Sequence, residues 1–144
     1  MESRRSVWPA VLTGLLGIAM IVGGMLLPWI EGRTGAELPL RSVLPYDLAR
    51  PEVSSFLSSI ALPIVAMAAF SLVAVIVRVR WLAIALAFVT LGLEIAWFAS
   101  EAFRRTRGEL LASQLGAGAW LALGGAILVI AAAFMTPRWE PQVR

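Results

Sequence analysis

Along this chain the polar residues are confined to short intervals between four long apolar stretches, at about 6–30, 53–77, 81–100 and 111–135. Each stretch is close to the ~20 residues that a helix needs to cross a hydrocarbon core of ~30 Å, and unbroken apolar runs of that length have few other uses. The pattern predicts an all-α fold in one domain: a polytopic membrane protein built as a four-transmembrane-helix bundle. Between the spans it leaves an external loop over about 31–52, a turn at Arg78-Val79-Arg80, a second external loop over about 101–110 and a tail over 136–144. The Arg4-Arg5 start is what a signal peptide would show. However, the apolar run that follows is ~22 residues, longer than a secretory h-region, and Leu26-Leu27-Pro28-Trp29 offers no small-residue cleavage site, so it is read as a retained span.

Four crossings put both termini on one side, and the arginines choose which. Arg4, Arg5, Arg78, Arg80, Arg138 and Arg144 lie on the terminal side, and Arg33, Arg41, Arg50, Arg104, Arg105 and Arg107 lie opposite. The terminal-side arginines stand hard against helix ends and face only Glu2 and Glu140. The opposite loops hold Glu31, Glu37, Asp47, Glu52, Glu101 and Glu109. Positive residues in short segments stay inside, so both termini are expected in the cytoplasm. Trp8 and Trp29 are 21 residues apart, ~32 Å of helix, which matches the spacing of the two interfacial aromatic belts. With Trp81 and Trp139 they are read as interfacial anchors.

Composition narrows the function classes. With 144 residues and 60% hydrophobic content, the chain is too apolar for a soluble domain and too short for more than one membrane bundle. All twelve basic residues are arginine, a bias that suggests a GC-rich bacterial genome and hence a bacterial plasma (inner) membrane. Those arginines sit in ones, twos and threes at span ends rather than lining a groove, so nucleic acid is not an expected partner. Cysteine and histidine are absent, which removes disulfides, thiol catalysis, zinc sites, bis-His haem and Ser-His triads together. No catalytic residue, cofactor site or metal site is expected, and the chain is not read as an enzyme.

Within the bilayer, helices associate by close backbone approach and interhelical hydrogen bonds, and small residues at i, i+4 mark where this happens. Gly118, Ala122 and Ala126 make such a stripe in the fourth span, beside Gly124 and Gly125; Ala19 and Gly23 make one in the first, among Gly14, Gly17 and Gly24. Helices one and four are therefore expected to be close neighbours, with the remaining glycines available to this bundle or to a partner helix. Spans two and three must form a tight antiparallel hairpin. Pro63, central in the second stretch, predicts a kink that frees the carbonyl of Ser59. The first loop carries Pro39, Pro45 and Pro51 around several apolar residues, which suits turns and a short interfacial helix near 40–44. Arg104, Arg105 and Arg107 of the second loop read as a solvated, headgroup-facing patch.

One position goes beyond anchoring. Glu94 stands 13 residues past Trp81, ~20 Å along the helix, well inside the third span, where an ionisable group is costly. Ala83, Ala87 and Thr90 share its helical face, so that face is expected to point into the bundle. Its expected hydrogen-bond partners are the Trp120 indole and the oxygens around Ser59. Two roles follow: a neutral, hydrogen-bonded residue that fixes helix register, or a proton- or cation-coupling carboxylate. The first is preferred, because a coupling site brings further convergent polar groups or broken helices.

Leu27-Pro28-Trp29 closing the first span, the polar first loop, and Gly116-Ala-Gly118-Ala-Trp120-Leu-Ala-Leu-Gly124-Gly125 opening the fourth resemble small uncharacterised four-helix (tetraspan) membrane proteins of actinobacteria and other GC-rich bacteria. The resemblance implies fold and membrane location and no chemistry. The expected function is that of a non-enzymatic accessory, structural or assembly subunit of a larger bacterial membrane complex, in contact with other membrane subunits. The alternative is a small oligomeric transporter or channel, a homo-oligomer with Glu94 facing a shared cavity.

Overall fold

Pro9 opens the first helix. In α1 (Trp8–Leu26) it lies in the first turn, where its missing N–H would have had no intrahelical partner. The helix stops four residues short of the expected Ile30, because Pro28 drives the residue before it out of the helical region; Leu27 is extended at φ −95° and ψ 160°. The computed structural model describes residues 6–40, 56–104 and 115–137, with backbone alone at 103 and 104.

After α1 the chain forms a small ribbon that the hydropathy pattern does not predict. Strand β1 (Pro28–Ile30) pairs antiparallel with β2 (Arg33–Thr34), with Ile30 opposite Arg33 and a bulge between Pro28 and Ile30. The two residues between the strands, Glu31 and Gly32, have φ of 50° and 78°, the positive pair that a tight primed hairpin turn requires. A single 3-10 turn follows over Gly35–Glu37, held by a capping box in which the Thr34 N–H donates to Glu37 Oε2 at 3.0 Å. The Leu38 carbonyl then accepts from the Ile60 N–H at 2.9 Å, and Pro39 bridges to Ser59. Residues 28–40 thus close over the end of the bundle where α1 finishes and the second helix starts.

The second apolar stretch is helical over less than its expected length. A 3-10 turn at Phe56–Ser58 leads into α2 (Ala61–Ile76), 16 residues that rise only ~24 Å. Pro63 falls in the first turn of this helix, where an absent donor breaks no bond, so the expected mid-span kink is replaced by an ordinary helix start. The other helices, α1, α3 (Arg80–Arg104) and α4 (Ala117–Met135), are each long and apolar enough to cross a membrane. α3 runs a full turn past the expected Ser100 and takes in Glu101. Beyond Leu40, the apolar loop segment expected near 40–44 lies outside the described residues, as do the Arg105–Arg107 patch and Trp139.

A turn of three residues joins α2 to α3, as its sequence requires. The Val79 N–H reaches the Ala74 carbonyl at 2.9 Å and the Arg78 N–H reaches Val75 at 3.1 Å, the bonding of a Schellman cap. Arg78 takes the left-handed position at φ 63°, a place usually held by glycine. Ser71 Oγ donates to the Ala83 carbonyl at 2.9 Å and ties the two helices near this turn.

The closest helix pair is α1 with α4, antiparallel, as the small residues predict. The residues that carry it on α1 differ from the expected ones. Gly17 and Gly24 face α4, with Ile21 between them, and Gly14 sits against Leu72 of α2 and Ala132 of α4, whereas Ala19 is exposed and Gly23 has only the Leu121 side chain nearby. On α4 the expected Gly118, Ala122 and Ala126 are all buried, joined by Gly125 and Val129. A Cβ on Gly24 would lie 2.7 Å from the Gly118 carbonyl oxygen, and one on Gly118 would lie 2.5 Å from that of Gly24. No side chain fits between these backbones. The outer surface, by contrast, exposes Leu12, Leu16, Phe70, Val77, Phe88, Ile95 and Ile127 around the bundle. Apolar exposure of that extent suits hydrocarbon rather than water.

Candidate functional site

α3 presents one buried stripe to its neighbours: Ala83, Ala87, Thr90, Glu94 and Trp97 are each at 0% exposure, spaced four, three, four and three apart. That spacing is the inward face of a helix, so the period of α3 alone carries Glu94 to the inside. Thr90, one turn before it, has turned its hydroxyl onto its own helix and donates to the Leu86 carbonyl at 3.0 Å. Ser100, beyond Trp97, likewise donates to the Trp97 carbonyl at 2.8 Å.

The partners expected for Glu94 are elsewhere. Trp120 is half exposed, on the outer side of α4. Ser59 is buried, but its Oγ donates to the Phe56 carbonyl at 2.7 Å and its backbone pairs with Pro39, so it belongs to the closure of the first loop. Both Glu94 oxygens and the Trp97 indole nitrogen are buried without a hydrogen-bond partner among the described residues. They stand three residues apart on the same face. A buried polar atom left in this state costs on the order of 1–3 kcal/mol, and an ionised carboxylate far more.

Above them, toward the end closed by residues 28–40, lies an aromatic cluster. Trp97 meets Trp29 edge to face with ring centroids 4.9 Å apart, Trp29 stacks with Phe98 at 6.3 Å, and Trp97 meets Phe98 at 5.2 Å. Trp29 itself is at 0% exposure, and its indole N–H donates to the Gly24 carbonyl at 2.9 Å. This corrects its expected role as an interfacial anchor: it is a plug. Trp8 and Trp81 are on the outer surface, at 68% and 73% exposure.

Glycines let this plug seat. A Cβ on Gly35 would lie 2.9 Å from two Trp29 ring atoms and 2.7 Å from Met25 Sδ. Gly116, just before α4, donates its N–H to the Trp29 carbonyl at 2.7 Å, and any Cβ there would collide with the Pro28 carbonyl. The sequence carries a signal for this arrangement in Pro28-Trp29 followed by the turn-forming Glu31-Gly32, but a tryptophan at a span end reads equally as a belt residue.

Chemically the site holds one carboxyl and one indole N–H under an aromatic lid. α1, α2 and α4 contribute no acidic or basic residue within their helical ranges. Among the described residues no three of the metal-ligating types His, Cys, Asp and Glu come together. Comparison with protein-family models, with curated proteins and with solved structures found no match.

Proposed function

We propose that this is a non-enzymatic integral membrane protein that serves as an accessory or assembly subunit of a larger bacterial membrane complex. It crosses the plasma membrane four times, with α2 completing its passage through the Phe56–Ser58 turn, and keeps both termini in the cytoplasm. The observation that carries this reading is the built cap. Residues 28–40 are fastened to α1, α2 and α4 by Trp29, Gly116, Leu38 and Ile60, and they hold Glu31, Gly32 and Arg33 outward in a fixed hairpin. A connection that only joined two spans would have no need of such a scaffold, whereas a rigid external tip gives a partner subunit something to bind.

The inward direction of Glu94 supports the same reading. A transporter of four short helices needs its coupling carboxylate on a cavity shared between copies. Here the carboxyl is enclosed by the helices of a single chain and lidded by Trp97 and Trp29. Its role on this account is structural rather than coupling.

Purification of the full chain from native membranes in mild detergent, followed by mass spectrometry, tests the proposal. A different membrane protein is expected in fixed ratio, and it should be lost when Glu31 and Arg33 are both changed to alanine. Recovery of this chain with copies of itself alone would count against it.

A further inference from the structure

Three polar atoms of α3 are buried without a partner among the described residues, and their chemistry is complementary. Trp97 Nε1 can only donate; the Glu94 carboxyl accepts at either oxygen and, as the neutral acid, also donates. Because the two side chains leave the helix one turn apart on one face, they border the same small region between α3 and the helices packed on it. Among the described residues the neighbouring side-chain alternatives are already taken. Thr90 and Ser100, the hydroxyls on the same stripe, donate to their own helix, and Trp29 Nε1 is committed to Gly24. No acidic or basic side chain of α1, α2 or α4 can answer Glu94. Trp29 and Phe98 pack their rings on Trp97, which makes the lid apolar.

We propose that Glu94 and Trp97 form an internal binding site for a water molecule, which accepts from the Trp97 indole N–H and hydrogen-bonds to the Glu94 carboxyl. Water is the ligand of the right size and the right mixed character: it must accept once and can donate twice, and buried waters characteristically make about three such bonds to otherwise unpaired groups. A metal cation fits the donor set poorly, since an N–H group cannot ligate one and a single carboxyl leaves most of a coordination shell unfilled.

Proton-detected solid-state NMR on the full chain in lipid bilayers, with 15N-labelled indoles, tests this. The Trp97 signal is assigned by its loss in Trp97→Phe. Magnetisation transfer from water protons to Trp97 Nε1–H is expected, and none to Trp29 Nε1–H, whose carbonyl partner is buried in the same cluster. Glu94→Leu should lose the transfer at Trp97, while Glu94→Gln, which keeps an acceptor and a donor, should retain it; an unmoved Trp29 signal in both variants reports that the fold is intact. A wild-type Trp97 signal with no transfer, as a direct bond to Glu94 would give, overturns the proposal. So does a transfer that persists undiminished in Glu94→Leu with the Trp29 signal unmoved. Should Glu94→Leu fail to fold, Glu94→Met, which fills the same space without a strong hydrogen-bonding group, takes its place in the same measurement, with loss again expected.

Discussion

Gly17 and Gly125 face each other across the α1–α4 contact so closely that a Cβ on Gly17 would lie 2.7 Å from the Gly125 carbonyl oxygen, and one on Gly125 would lie 2.5 Å from that of Gly17. Neither neighbour is a flexible side chain that could swing away, so one helix must move. Gly17→Ala and Gly125→Ala are each expected to destabilise by about 1–3 kcal/mol, the usual range for overpacking. Gly23→Ala meets only Leu121 at 3.7 Å and should be neutral or slightly stabilising. Unfolding titrations in mixed detergent would rank the three; equal effects would contradict the assigned interface.

Trp29 holds the cap through both its ring and its N–H. Trp29→Phe preserves most of the packing against Trp97 and Phe98 but removes the bond to Gly24, a loss of about 1 kcal/mol. Trp29→Ala empties a fully buried site and should cost about 3–5 kcal/mol. If Trp29 were a belt residue instead, both changes would be mild, and the fluorescence of the remaining tryptophans would be unaltered.

Arg78 occupies a left-handed position that disfavours any residue with a Cβ by roughly 1–2 kcal/mol. Arg78→Gly is therefore expected to stabilise the α2–α3 hairpin by about 1 kcal/mol in the same titration. A destabilised variant would mean that the arginine's charge near the headgroups outweighs its backbone strain.

Topology can be read by labelling, because the native chain has no cysteine. Arg33 is exposed in the β-hairpin, so Arg33→Cys should react with a membrane-impermeant thiol reagent in intact cells, and Gln142→Cys, in the C-terminal tail, should not. The reverse pattern would invert the assignment of both termini to the cytoplasm.

Much of this architecture is legible in the chain. Hydropathy finds α1, α3 and α4, and the helical period puts Glu94 on the buried face with Ala83, Ala87 and Thr90. The cap is hidden for physical reasons. Pro28–Ile30 is too short to show strand periodicity, and Trp29 is amphipathic, so it satisfies a membrane belt and a buried plug equally well. The start of α2 is hidden too, because Phe56, Leu57 and Ile60 continue the apolar run while their backbone forms a turn and a pairing with Leu38 and Pro39. Glycine and alanine occur on every face of α1, so composition names the α1–α4 pair and leaves the residues that touch to tertiary packing. Depth along a helix does not say which way Trp120 faces, so its outward direction is not legible in the sequence.

Glu94 decides between a structural carboxyl and a coupling one, and Glu94→Gln separates them by keeping shape and hydrogen-bonding capacity while removing the titratable proton. The direct measurement reconstitutes wild type and Glu94→Gln in sealed vesicles, imposes a pH gradient and follows internal pH. The account predicts that both proteins fold, that both dissipate the gradient at the rate of protein-free vesicles, and that both retain the same partner in detergent. A wild-type proton flux that a well-folded Glu94→Gln abolishes would contradict it.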